Sequence, residues 1–156
     1  LIEEKGCIKI LVAIDGSEES MRAADYAISL ASKYRAQLIA LHVIDLAKPN
    51  LANDTSIFIA STICPLAELE AERKEAHQWL SNIDNLTKAR HIRFESKIIE
   101  DVVPRIGGVI VSYSEKEKVD LIVVGTRGRS GFKKVLIGSV ASDVLHYAHC
   151  PVMIVK

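Results

Sequence analysis

Four short stretches of this chain, residues 8–14, 38–44, 121–124 and Val152–Val155, are almost uninterrupted Val, Ile, Leu and Ala. A strand with one wet face alternates apolar and polar residues. A strand that is apolar at nearly every position must be covered on both faces, as in a parallel sheet held between layers of helix. A fifth stretch, 92–99, alternates instead: Ile92, Phe94 and Ile98 are interleaved with Arg93, Glu95 and Lys97. That pattern predicts a less buried strand at the edge of the same sheet.

Helical periodicity fills the intervals. Residues 17–34 open with Ser17 as N-cap and Glu18 and Glu19 in the first turn, then space Met21, Ala24, Ala27, Ile28 and Ala31 along one side. Residues 66–89 form a long amphipathic pattern, with Leu66, Leu69, Arg73, Ala76, Leu80 and Ile83 at helical spacing. The pattern over 103–117 is weaker, because Gly107 and Gly108 each lower helix propensity by about 1 kcal/mol relative to Ala. A short helix over 139–148 precedes the last run. Strand and helix therefore alternate throughout, which predicts an α/β fold with right-handed crossovers. Residues 45–62, with Pro49, Asn50, Asn53, Asp54 and Ser56, read as the one long loop. With no internal repeat and no linker, residues 1–156 read as a single domain.

Composition narrows the function. Hydrophobic residues make up 49% of the 156, enough for a full core. Lys plus Arg equals Asp plus Glu at 20 each, so no overall field draws the chain to nucleic acid or to an anionic membrane. No apolar stretch approaches the roughly 18 residues of a membrane span, and no signal-peptide pattern opens the chain. Cys7, Cys64 and Cys150 are scattered and odd in number, which fits a reducing compartment. The expected location is cytoplasmic.

The chemistry concentrates in VVGTRGRSGFKKVLIGS, which leaves the fourth apolar run and re-enters helical sequence. Gly125, Gly128 and Gly138 let the backbone approach a ligand, and Ser139 opens a helix whose N-terminal amides suit an anion. Arg127, Arg129, Lys133 and Lys134 add positive charge, with Arg127 in the tightest part of the turn. The expected guest is a phosphate. No G-x-G-x-x-G follows the first strand and no G-K-[ST] occurs, so neither a dinucleotide fingerprint nor a Walker loop is present. In an open α/β sheet the ligand lies beyond the carboxyl ends of the strands, where strand order reverses. A reversal between the first and fourth strands would bring Asp15 and Gly125 to opposite lips of one crevice. Asp15 then has two readings: a contact to ribose or a bridging cation, or a turn former with Gly16 ahead of the Ser17 cap.

The segments KILVAIDGSEES, LIALHVID, VDLIVVGTRG and CPVMIVK, with the spacing Gly125-x2-Gly128-x9-Gly138-Ser139, resemble the universal stress protein family, in its ATP-binding branch. The resemblance covers nearly the whole chain. It implies a Rossmann-like three-layer sandwich with a five-stranded parallel sheet in order 3-2-1-4-5 and helices on both faces. It also implies a homodimer. By that carry-over Gly125, Gly128, Gly138, Ser139 and Val140 hold ribose and phosphates. Asp15 addresses the ribose–phosphate region, Ala13 and Val43 line the adenine pocket, and Val124 and Arg127 complete the set. The implied ligand is ATP or another adenine nucleotide with Mg2+. One departure is IIEDVVPRIGG, which lacks the glycine common near the end of the third strand.

Other features have plainer readings. His146, His149 and Cys150 lack a fourth ligand at zinc spacing, and both histidines are expected in the last turn of the final helix. His42 is expected to be a satisfied sheet residue, and Trp79 to pack. Val152–Val155 is an apolar edge strand, suited to pairing with its own copy in a homodimer, the alternative being that residues 45–62 or a helix cover this edge within one monomer. No Ser/His/Asp or Cys/His constellation marks an enzyme, so regulated nucleotide binding is favoured over ATP hydrolysis. A flavodoxin-like carrier would need a phosphate loop after the first strand and flanking aromatics. A nucleotide-free structural protein of the same fold is the remaining alternative.

Overall fold

A computed structural model of the chain describes residues 8–46, 64–102, 105–126, 128 and 137–156. Five strands, β1 (Lys9–Ala13), β2 (Gln37–Asp45), β3 (Arg93–Asp101), β4 (Leu121–Gly125) and β5 (Val152–Val155), form one sheet in the order β3-β2-β1-β4-β5. Every neighbouring pair is parallel. Four helices connect them: α1 (Glu18–Tyr34), α2 (Cys64–Ala89), α3 (Ile106–Lys116) and α4 (Ser139–Tyr147). The sheet order and the helix–strand alternation are those expected from the hydropathy pattern and the family resemblance.

The near-continuous apolar runs are explained by two cores, one on each face of the sheet. Ile10, Val12, Leu38 and Ala40 pack with Ala24, Ala27, Ile28 and Ala31 of α1 and with Leu80 and Ile83 of α2. Leu11, Ile39, Leu41, Val43, Ile122 and Val124 point the other way, against Ile110 and Val111 of α3 and Ala141 and Val144 of α4. Alternate residues of one strand thus feed opposite cores, and each fully buried Leu or Ile contributes about 1.5–3 kcal/mol. The buried alanines of α1 leave no bulk between helix and sheet. β3, whose residues are half-exposed or exposed, lies at one edge, as its alternation predicts.

Local signals set the helix ends. Ser17 Oγ accepts from the Ser20 amide at 3.2 Å and caps α1. Arg35, at φ 51°, closes it in the left-handed conformation, its amide bonding Ala31 O. α3 begins at Ile106, later than the periodicity alone predicts. Its Gly107 serves a contact: a Cβ there would lie 2.4 Å from Asp143 Cβ, so the missing side chain lets α3 and α4 touch. α4 ends at Tyr147, which corrects the expectation for His149. His146 does occupy the last turn, its Nδ1 2.8 Å from Ser142 O, but His149 lies beyond the helix, its Nε2 3.3 Å from Val119 O. Pro151 disfavours helical conformation at Cys150, and the chain turns extended at Ala148 to enter β5. The 45–62 loop lies outside the described residues except for its first two, 45 and 46. Among the described residues no helix is long and apolar enough to cross a membrane.

Candidate functional site

The strand order reverses between β1 and β4, and a cavity of about 270 Å³ opens there at the carboxyl ends of the strands. Ala13, Asp15, Val43, Val124, Gly125, Gly128, Gly138, Ser139 and Val140 all line it. Residues far apart in sequence thus share one crevice. Arg127 lies outside the described residues, as do Arg129, Lys133 and Lys134.

One lip is the turn from β1 into α1. The Ile14 amide donates to Leu41 O at 2.9 Å, which registers the turn against β2. Asp15 Oδ1 accepts from the Ser17 amide at 3.0 Å and from Ser17 Oγ at 2.5 Å. The aspartate is therefore a turn former and a wall of the cavity at once, so its two readings are compatible. Gly16 has φ 78°, and a Cβ on it would sit 2.1 Å from Trp79 Cζ2. Only glycine combines that backbone conformation with the indole lying against it. Trp79 packs, as expected.

The opposite lip is the start of α4. The first amides of a helix have no partner within it, and they carry the positive end of its dipole. The Gly138 amide is committed, donating to Thr126 O at 2.7 Å. The Ser142 amide returns to Gly138 O at 2.9 Å. Between them the amides of Ser139, Val140 and Ala141 meet no acceptor among the described residues. Three neighbouring donors at a dipole's positive end are suited to a phosphate.

The glycines differ in what they permit. A Cβ on Gly128 would meet Asp15 Oδ2 at 2.5 Å, so Gly128 brings the late turn against the acidic tip of β1. A Cβ on Gly125 would meet Glu19 C at 2.8 Å, so that glycine admits the first turn of α1 over the end of β4.

Sequence reasoning missed several lining residues. Leu41, Ile106 and Ile110 give the cavity an apolar wall on the α3 side. The i, i+4 spacing of Ile106 and Ile110 was the available signal. Thr126, 3% exposed, donates its amide to Val155 O at 2.7 Å and accepts from Gly138, tying β5 to the start of α4. Ser20, His42 and Glu72 complete the wall on the α1 and α2 side. His42 departs from its expected satisfied state: Nδ1 lies 2.6 Å from Ile14 O, but Nε2 is buried without a hydrogen-bond partner among the described residues. Among the described residues no three His, Cys, Asp or Glu side chains gather as a ready-made metal site.

The universal stress protein family model matches residues 8–156. The chain belongs to this family. It is 35% identical over 149 residues to the universal stress protein YxiE of Bacillus subtilis, covering 95% of this chain and 98% of that one. The solved structure of MJ0577, a universal stress protein of Methanocaldococcus jannaschii, superposes with a TM-score of 0.77 at 26% identity, over 95% and 94% of the two chains. A universal stress protein from Archaeoglobus fulgidus, solved in complex with dAMP, shares the fold, with a TM-score of 0.65 at 19% identity over 96% and 98%. This chain's sheet order, β3-β2-β1-β4-β5, is the one that the resemblance to this family implies.

Proposed function

We propose that this universal stress protein is a cytoplasmic regulatory protein that binds an adenine nucleotide, ATP with Mg2+, in the β1/β4 crevice. The observation that carries the reading is that Ser139, Val140 and Ala141, at the N-terminus of α4, line one cavity together with an apolar set of residues. Phosphates would take the helix N-terminus, and the base would take the apolar side formed by Ala13, Leu41, Val43 and Ile110. Asp15 would accept from ribose hydroxyls, or would share a cation with the phosphates, which offsets the repulsion between two anions. The dAMP complex of the Archaeoglobus fulgidus relative supports an adenine nucleotide as the class of ligand. Binding would stabilise the fold by mass action. The protein would act as a homodimer through the outer edge of β5, Val152–Val155.

The test is mass spectrometry of nucleotide released from the native protein on denaturation, followed by calorimetric titration with ATP. An adenine nucleotide in the released fraction, and binding weakened at least tenfold by Gly128→Val, are expected. A protein that carries no nucleotide and shows no heat or thermal shift with ATP would overturn the reading. Phosphate release compared between the native chain and Asp15→Ala separates binding from hydrolysis.

A further inference from the structure

His42 stands near the end of β2 and is 3% exposed, its ring edge-on to Trp79 at 5.5 Å. Its Nδ1 lies 2.6 Å from the Ile14 carbonyl. A carbonyl oxygen only accepts, so Nδ1 carries the hydrogen, and the neutral ring presents Nε2 as a bare acceptor. That Nε2 is closed to solvent and has no hydrogen-bond partner among the described residues. Glu72 Oε1, on α2, faces it at 3.9 Å. Two acceptors looking at each other across a buried gap are unfavourable unless something with a hydrogen comes between them. Water cannot reach Nε2 as it stands, because the atom has almost no surface open to a water-sized sphere. Glu72, whose side chain is 20% exposed, can carry a proton to it from solvent.

The geometry points to a proton-operated latch behind the crevice wall. When His42 takes a proton from solvent, Nε2–H becomes a donor to Glu72, and the gap closes to a charge-assisted hydrogen bond of roughly 2.7–2.9 Å. The ring then donates at both ends. It fastens α2 to β2 and, through Nδ1, to the Ile14 carbonyl next to Asp15. Two other titratable side chains share the described cavity lining with His42: Asp15 from the β1–α1 turn and Glu72 from α2. Both are acids. α1 contributes Ser20, while β4 and α4 contribute no titratable side chain to that lining. On β3, the residue in register with His42 is Ile98. The latch is closed while the ring is charged and open while it is neutral. If the crevice takes nucleotide as proposed above, the wall beside it becomes firmer and less negative on acidification.

The experiment uses the nucleotide-free full chain, so failure of the nucleotide reading leaves it intact. Nitrogen-15 NMR of the imidazoles follows His42, assigned by loss of its signals in His42→Gln. Denaturant unfolding is measured at pH 5.5 and pH 8 for the native chain, Glu72→Ala and Glu72→Gln. We expect a neutral ring with hydrogen on Nδ1 at pH 8 and a doubly protonated ring at pH 5.5. The native chain should gain over Glu72→Ala by a factor roughly tenfold larger at pH 5.5 than at pH 8. Glu72→Gln should gain over Glu72→Ala equally at both pH values, because its amide donates to neutral Nε2 without a proton from solvent. A ring that stays neutral at pH 5.5, or a native advantage over Glu72→Ala that is the same at both pH values, overturns the latch.

Discussion

Gly16→Ala tests how the β1–α1 turn is held. Gly16 sits at φ 78°, and a Cβ built there falls 2.1, 2.4 and 2.6 Å from three carbons of the Trp79 indole. Two independent costs follow. An alanine in left-handed backbone costs about 1–2 kcal/mol. Displacing a ring already packed against the core adds about 1–3 kcal/mol of overpacking. The sum is about 2–5 kcal/mol, and at about 2–4 °C per kcal/mol for a chain of this size the melting temperature should fall by on the order of 10 °C. A double-mutant cycle separates the costs. In a Trp79→Leu background the ring is gone and only the backbone term remains, so Gly16→Ala should cost about 1–3 kcal/mol less there. The assay is urea unfolding of the four proteins. Equal costs in the two backgrounds would refute the steric argument, and a cost below about 0.5 kcal/mol in the native background would refute both parts.

Adjacent glycines of α3 should respond with opposite signs: Gly107→Ala drives a Cβ into Asp143 and should destabilise by about 1–3 kcal/mol. Gly108→Ala meets nothing within 4 Å among the described residues and should stabilise by about 0.5–1 kcal/mol in the same denaturation assay. Ser17→Ala removes the N-cap acceptor of α1 and a donor to Asp15, and should cost about 1 kcal/mol in thermal melts. The Arg73 guanidinium, hydrogen-bonded to Glu100, holds that carboxyl below the usual glutamate value. The pair's contribution is therefore present above the ordinary glutamate range and is lost as pH falls through the lowered folded value. NMR titration should show Glu100 returning to the ordinary range in Arg73→Gln.

How legible the molecule was depended on whether a feature is local. The α1 cap was readable because Ser17, Glu18 and Glu19 act within one turn. The helix end near His149 was not, because it is decided by where β5 must begin to pair with β4. The glycines of the late turn were visible as glycines, and their spacing supported the resemblance. Their reasons were not visible: Gly125 answers to Glu19, and Gly128 answers to Asp15. Glu72 drew no attention as one acid among several on an amphipathic helix. Its significance comes from facing the open nitrogen of His42.

Hydropathy alone determined the covered parallel sheet, since runs apolar at every position are tolerable only between two helical layers. The resemblance supplied the strand order. What only the tertiary structure decided is the wiring of the crevice: which amides are already spent, which face of the cavity is apolar, and which buried nitrogen lacks a partner. Those properties depend on directions and distances between side chains and main-chain groups from different elements. A linear pattern records which groups exist, while packing sets which of them meet.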